Sequence, residues 1–146
     1  MNLTRHFTIE EFEFSATGTR KGIPNMCPPE LISNMINVAN HLEIVRAYFG
    51  APIRVLSGYR SQALNKAVGG SKTSAHRTGS AADFIVVGVD VETVAKYVAE
   101  NMKGVDQIIS EFGEWIHLGF TNGVPREQIL TATKVDGKTV YTQGLG

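Results

Sequence analysis

Residues 107–120 read QIISEFGEWIHLGF. Two apolar runs, 107–111 and 115–120, flank the short segment Phe112-Gly113-Glu114, and this pattern predicts a β-hairpin. A hairpin joins two antiparallel strands, whereas parallel strands need a long crossover. The stretch therefore favours an antiparallel sheet, and it places His117 among apolar residues in the middle of the second strand.

The segments before this hairpin predict helices and two further strands. Residues 29–49 carry apolar side chains at intervals of mostly three and four, with Pro29 suited to a first helical turn and Gly50 to a stop. Shorter helices are predicted at 61–68 and 90–101, and strands at 53–57 and 81–87. Because helices come mostly first and strands mostly later, we predict an α+β fold with a central antiparallel sheet packed by about three helices.

The chain of 146 residues is short enough to predict a single domain spanning 1–146. Residues 1–28 mix polar and aromatic residues with glycine and proline, which predicts an irregular arm with one short helix near residues 8–12. Asp136-Gly137 is a strong hairpin dipeptide and predicts a C-terminal hairpin within 129–146. We expect this hairpin to extend the sheet or to cover one of its edges.

Composition excludes several classes of partner. Fourteen basic residues balance fourteen acidic ones, so we expect no nucleic-acid partner. The single cysteine, Cys27, excludes an internal disulfide. No stretch approaches roughly 18 apolar residues, and charged residues interrupt the N-terminus. We therefore expect no membrane insertion and synthesis in the cytoplasm without a signal peptide.

Residues 74–84, SAHRTGSAADF, contain a histidine and an aspartate seven residues apart, His76 and Asp83. Either residue alone is more often part of a turn or a hydrogen-bonded core. Asp83, however, has apolar neighbours on both sides, and burial of an unpaired carboxylate is costly enough to require a cation or several donors. Catalytic zinc is commonly held by three histidine or carboxylate ligands with one position left for water. His117 is the best candidate for a third ligand, and taken together the three residues favour a metal site on the sheet over unrelated turn and core residues.

Three motifs in the same order resemble a known enzyme family. They are Ser57-Gly58-Tyr59-Arg60-Ser61, Ser74-x-His76-x-x-Gly79-x-Ala81-x-Asp83 and Trp115-x-His117. Together they resemble the zinc D-alanyl-D-alanine carboxypeptidases and the related phage L-alanyl-D-glutamate endopeptidases, the LAS-type metallopeptidases that cut peptidoglycan stem peptides. The resemblance extends from about Phe7 to Phe120.

The resemblance implies roles for individual residues. It implies that His76, Asp83 and His117 bind Zn²⁺, and that Glu114, three residues before the last histidine, is the general base. Strand alternation instead favours Glu111, which would lie on the same sheet face as His117. We assign the general base to Glu114 because its spacing matches that of the family.

Two further residues complete the site that the resemblance implies. Arg60 would stabilise the oxyanion or hold a substrate carboxylate, because its charge is permanent and its donors form a fixed fork. Ser74 would orient a ligand or contact the substrate.

We therefore expect a monomeric zinc peptidase that hydrolyses a stem-peptide bond next to a D-amino acid. Similarity to phage enzymes suggests an endolysin or a virion-associated lysin, which would act on the cell wall after release or as part of a virion. Two alternatives belong to other classes. One is a zinc-stabilised module that binds cell-wall peptide without catalysis, and the presence of both Arg60 and an acid beside the ligands disfavours it. The other is a metal-free phage structural protein.

Overall fold

A computed structural model describes residues 1–145, and the last residue of the predicted C-terminal hairpin, 146, lies outside this range. The fold is α+β, as predicted. The helices are α1 (Ile9–Glu13), α2 (Ala16–Lys21), α3 (Ile32–Phe49), α4 (Gln62–Ala67) and α5 (Val91–Asn101), and the strands are β1 (Ile53–Ser57), β2 (Ala81–Val86), β3 (Gln107–Glu111), β4 (Trp115–Gly119), β5 (Gln128–Val135) and β6 (Lys138–Gln143). Short 3-10 turns occur at Pro29–Leu31 and Ala75–Thr78.

The six strands form one sheet in the order β1-β2-β4-β3-β5-β6. The predicted hairpin of β3 and β4 pairs Ile109 with His117 and Glu111 with Trp115. One pair departs from the antiparallel expectation, because β5 runs parallel to β3. The connection 120–127 starts at the edge where β4 ends, which is also where β3 begins, so β5 sets out from the same edge as β3. The C-terminal hairpin of β5 and β6 extends the sheet beyond β3.

The two faces of the sheet have different surroundings. On one face, α3 packs against β2 and α5 packs against β3, and the strand residues there join the main hydrophobic core. Phe84, Ile116 and Leu118 are representative, and each is fully shielded from solvent. Strand alternation turns the intervening residues, among them Asp83 and His117, to the opposite face. In the part of the chain that the structure describes, that face lacks a helix layer, and it carries the polar residues of the site.

Residues 1–145 contain five α-helices, two more than the prediction of about three. Both additional helices lie in the N-terminal arm. A short helix was expected near α1, where Thr8 and Glu11 form a capping box. Helix α2 lacks apolar periodicity and was not predicted, and it depends on its ends: the Ser15 side chain caps its start, and Gly22 closes it in the left-handed conformation.

The N-terminal arm packs against the loop that follows β1. The Tyr59 amide donates to the Phe12 carbonyl at 2.8 Å, and Phe12 is fully buried. A Cβ atom on Gly58 would lie only 2.7 Å from the same carbonyl oxygen. Only glycine therefore permits this close approach of two backbone segments.

No helix in the described part of the chain is long and apolar enough to cross a membrane.

Truncation of Phe84 tests the packing of the sheet against its helices. Phe84→Ala removes a fully buried ring from the centre of β2. We expect a loss of about 3–5 kcal/mol in the free energy of unfolding, measured by urea denaturation. Ile44→Ala, at a position of α3 that is 53% exposed, is the control and should change it by less than about 0.5 kcal/mol. Equal losses in the two variants would contradict this description of the core.

Candidate metal centre and active-site groove

The open face of the sheet forms the floor of a groove. Loops after β1 and before β2 form one wall. The lining includes Arg60, Ser74, His76, Asp83, Glu111, Trp115, His117 and Leu130. Five of these eight side chains come from strands of the sheet. Strand register therefore fixes the relative positions of these five side chains. The positions of the other three depend on loop conformation.

His76 lies in the 3-10 turn that precedes β2, and three hydrogen bonds fix its position. The Ser74 hydroxyl caps the turn by accepting from the His76 amide at 3.2 Å. The Arg60 amide donates to the His76 carbonyl at 2.9 Å. On the ring, Nδ1 lies 2.7 Å from the Gly58 carbonyl oxygen. A carbonyl oxygen only accepts, so Nδ1 carries a proton and Nε2 of the neutral ring presents a lone pair to the groove.

Asp83 and His117 are direct neighbours on β2 and β4. One carboxylate oxygen of Asp83, Oδ1, lies 3.0 Å from His117 Nδ1 and 3.2 Å from His76 Nε2. Burial alone would raise the pKa of the Asp83 carboxyl, but positive charge on His76, followed by hydrogen bonds donated by His117 and His76, outweighs burial and lowers this pKa, and a cation held between these groups would act in the same direction. Asp83 is therefore a carboxylate in a largely enclosed position.

The chemistry of these three side chains fits a bound zinc ion. Their candidate ligand atoms all lie within 4.8 Å of one another. The lone pair of His76 Nε2 faces an Asp83 oxygen, so two acceptors meet unless a proton or a cation lies between them. Burial lowers the pKa of His76 and so opposes an additional proton. Two histidine nitrogens and one carboxylate oxygen are the ligand set typical of catalytic zinc, with a further position open.

Arg60 lies beside this cluster. Its side chain is largely buried, and Nη2 approaches the Ser74 hydroxyl at 3.5 Å. Among residues 1–145 its Nε atom has no hydrogen-bond partner although it is buried. Burial lowers the pKa of Arg60, while the charges of Asp83 and Glu111 act in the opposite direction, and a guanidinium stays charged at neutral pH. Arg60 therefore offers the groove a cation with at least one unused donor.

The two candidate acids are separated by the β3–β4 turn. Glu111 is the last residue of β3, lines the groove and accepts a hydrogen bond from the Trp115 indole nitrogen. Burial, followed by the charge of Asp83, raises the pKa of Glu111. Glu114, which the sequence spacing favoured, is exposed in the turn and does not line the groove. The structure thus brings Glu111, the alternative from strand alternation, to the other site residues.

The structure also reveals contributors that the sequence did not single out. Gly58 supplies the carbonyl that fixes the His76 tautomer, and Trp115 holds the Glu111 carboxylate. Both belong to motifs that the sequence analysis quoted, but a motif does not show which neighbour a backbone carbonyl or an indole N–H will meet. Strand pairing of Glu111 with Trp115 was the available signal for the second contact.

Fold and site together give an α+β protein with a candidate His-Asp-His metal site on a mostly antiparallel sheet, an arrangement suited to a metallopeptidase. A sequence profile of the family Peptidase M15 matches residues 5–119, most of the chain. The protein therefore belongs to the Peptidase M15 family, whose members are zinc enzymes, and the family predicted from the three motifs is confirmed. No curated protein matches the chain.

Zinc content tests the metal centre. We expect about one zinc ion per chain after purification with zinc present, and a rise in melting temperature on zinc loading, because the ion binds the folded state only. His117→Ala should lose the ion. His41→Ala is a matched control, since His41 lies on α3 and does not line the groove. Less than about 0.2 zinc per chain in the wild-type protein would contradict the assignment.

Proposed function

We propose that the protein hydrolyses a peptide bond next to a D-amino acid in the stem peptides of peptidoglycan. The reaction is that of a D,D-carboxypeptidase or an L-alanyl-D-glutamate endopeptidase. Membership of the Peptidase M15 family supports the metallopeptidase class. The resemblance of the three sequence motifs to those of cell-wall peptidases supports this substrate. His76, Asp83 and His117 would hold the zinc ion.

A zinc ion held by these three side chains would supply a Lewis acid that polarises the scissile carbonyl and lowers the pKa of a bound water molecule to about 7. Glu111 accepts the proton of the attacking water and returns it to the leaving amine. Its carboxylate is suited to this role because it lines the groove and the Trp115 indole fixes its orientation. Peptide hydrolysis consumes one water molecule and releases a carboxylate and an amine, so no other reactant is needed.

Arg60 binds the negatively charged oxygen that develops in the reaction or a carboxylate of the substrate. The buried Nε atom without a partner supports this role, since a buried donor gains from any acceptor that a ligand supplies. The Ser74 hydroxyl accepts hydrogen bonds from both the Arg60 guanidinium and the His76 amide, and so holds the two residues in position relative to each other. The groups that act on the substrate therefore approach it from the loop wall and from the sheet floor.

The observation that carries the proposal is the convergence of an acid and an arginine on a buried His-Asp-His cluster. A zinc site that only stabilises a binding module needs neither group. Similarity to phage enzymes supports the further proposal that the protein is an endolysin or a virion-associated lysin that acts on the cell wall after release or as part of a virion.

Two glutamates near the hairpin turn provide a matched pair of variants. Glu111→Gln removes the proposed base while keeping the shape of the side chain, and we expect hydrolysis to fall about a hundredfold or more. Glu114→Gln changes an exposed acid outside the groove and should leave hydrolysis within about twofold. Mass spectrometry of products from purified peptidoglycan measures the rate and identifies the bond. Zinc content should be the same in both variants.

The reverse result, loss of activity in Glu114→Gln with activity kept in Glu111→Gln, would contradict the assignment of the base. Wild-type protein that binds zinc and stem peptide but releases no product would contradict the hydrolytic function and would favour the cell-wall binding module.

A further inference from the structure

The C-terminal hairpin contributes to the groove although it lies outside the family match. The match ends at residue 119, whereas β5 begins at Gln128. Leu130 of β5 and Tyr141 of β6 nevertheless line the same groove as the metal cluster. The hairpin therefore both extends the sheet and places these two side chains at the groove.

Strand register defines where these side chains lie. Trp115, Glu111, Ala132 and Tyr141 are successive cross-strand partners on β4, β3, β5 and β6. Such partners point to the same face of the sheet. Glu111 is thus flanked by one aromatic residue on β4 and, across the small side chain of Ala132, by another on β6. Ala132 is fully buried, so the surrounding side chains close over its methyl group.

The floor beneath these two aromatic residues is apolar. Ile109, Leu130 and Ala132 form a separate buried cluster on the open face of the sheet. Tyr141 remains 54% exposed, and its ring is therefore accessible to a ligand. Burial, followed by the charge of Glu111, raises the pKa of Tyr141, consistent with their proximity and with a neutral phenol at neutral pH.

We propose that Tyr141 and Leu130 form a subsite that binds an extended peptide on the Glu111 side of the scissile bond, with the Tyr141 ring contacting the peptide. The proposal rests on the proposed peptidase function. It makes Tyr141 a substrate-binding residue that the family match does not include.

The width of the sheet indicates how much substrate this subsite holds. Neighbouring strands are about 4.8 Å apart, so β6 lies about 10 Å beyond β3. An extended peptide advances about 3.3 Å per residue, and a peptide lying across the strands would gain contacts over about three residues. The hairpin therefore favours substrates with several residues on this side of the bond over minimal dipeptides.

Two synthetic peptides with the same scissile bond test this inference. One is the full stem peptide, and the other keeps a single residue on each side of the bond that wild-type protein cleaves. We expect kcat/KM of Tyr141→Ala to fall about tenfold on the long peptide and less than about twofold on the short one. Tyr141→Phe keeps the ring and should retain most of the activity on the long peptide. A structural defect would lower kcat/KM on both peptides together.

Val140→Ala is the control, because Val140 is the preceding residue of β6 and does not line the groove. It should change neither rate, and melting temperature and zinc content should match the wild-type values in all three variants. If Tyr141→Ala kept the wild-type ratio of kcat/KM on the long peptide to that on the short one, the proposal would be overturned. A fall in kcat/KM on the long peptide that is as large in Tyr141→Phe as in Tyr141→Ala would contradict contact through the ring. Wild-type protein that cleaves neither peptide would instead contradict the proposed function.

Discussion

The carboxylate of Asp83 is a negative charge held in a largely enclosed position, and the arrangement of the site follows from how that charge is compensated. Two histidines approach the same oxygen, one from the neighbouring strand and one from the preceding turn. The Gly58 carbonyl fixes the tautomer of His76, so that a lone pair rather than a proton faces Asp83. Such a group of acceptors is stable when a cation joins them. The ligand set, the burial and the tautomer therefore all favour zinc.

The sheet supplies the geometry that the chemistry needs. Because side chains alternate between faces, the strands that bury Phe84 and Ile116 against the helices necessarily present Asp83 and His117 on the other side. The same alternation extends through β3 to Glu111 and through the C-terminal hairpin to Tyr141. A hydrophobic core on one face and a groove on the other are consequences of a single strand pattern.

The sequence predicted those parts of the molecule that depend on local pattern. Apolar periodicity predicted helix α3, and the turn residues between two apolar runs predicted the hairpin of β3 and β4. Motif order predicted the approach of His76, Asp83 and His117. Helix α2 lacked an apolar pattern, and the parallel pairing of β5 with β3 depends on the path of a loop, so neither could be derived locally. The preference for Glu114 rested on spacing along the chain, whereas access to the groove depends on which residues lie in the turn. Strand alternation places Glu111 on the same sheet face as His117, and Glu111 lines the groove.

X-ray absorption at the zinc edge tests the central claim, that a catalytic-type zinc site is built from these three side chains. We expect a spectrum of nitrogen and oxygen ligands only, at about 2.0–2.2 Å, with the contribution of histidine rings. Replacement of Asp83 by alanine should change that spectrum or abolish binding. A sulfur ligand at about 2.3 Å, or a zinc environment without histidine, would contradict this ligand set.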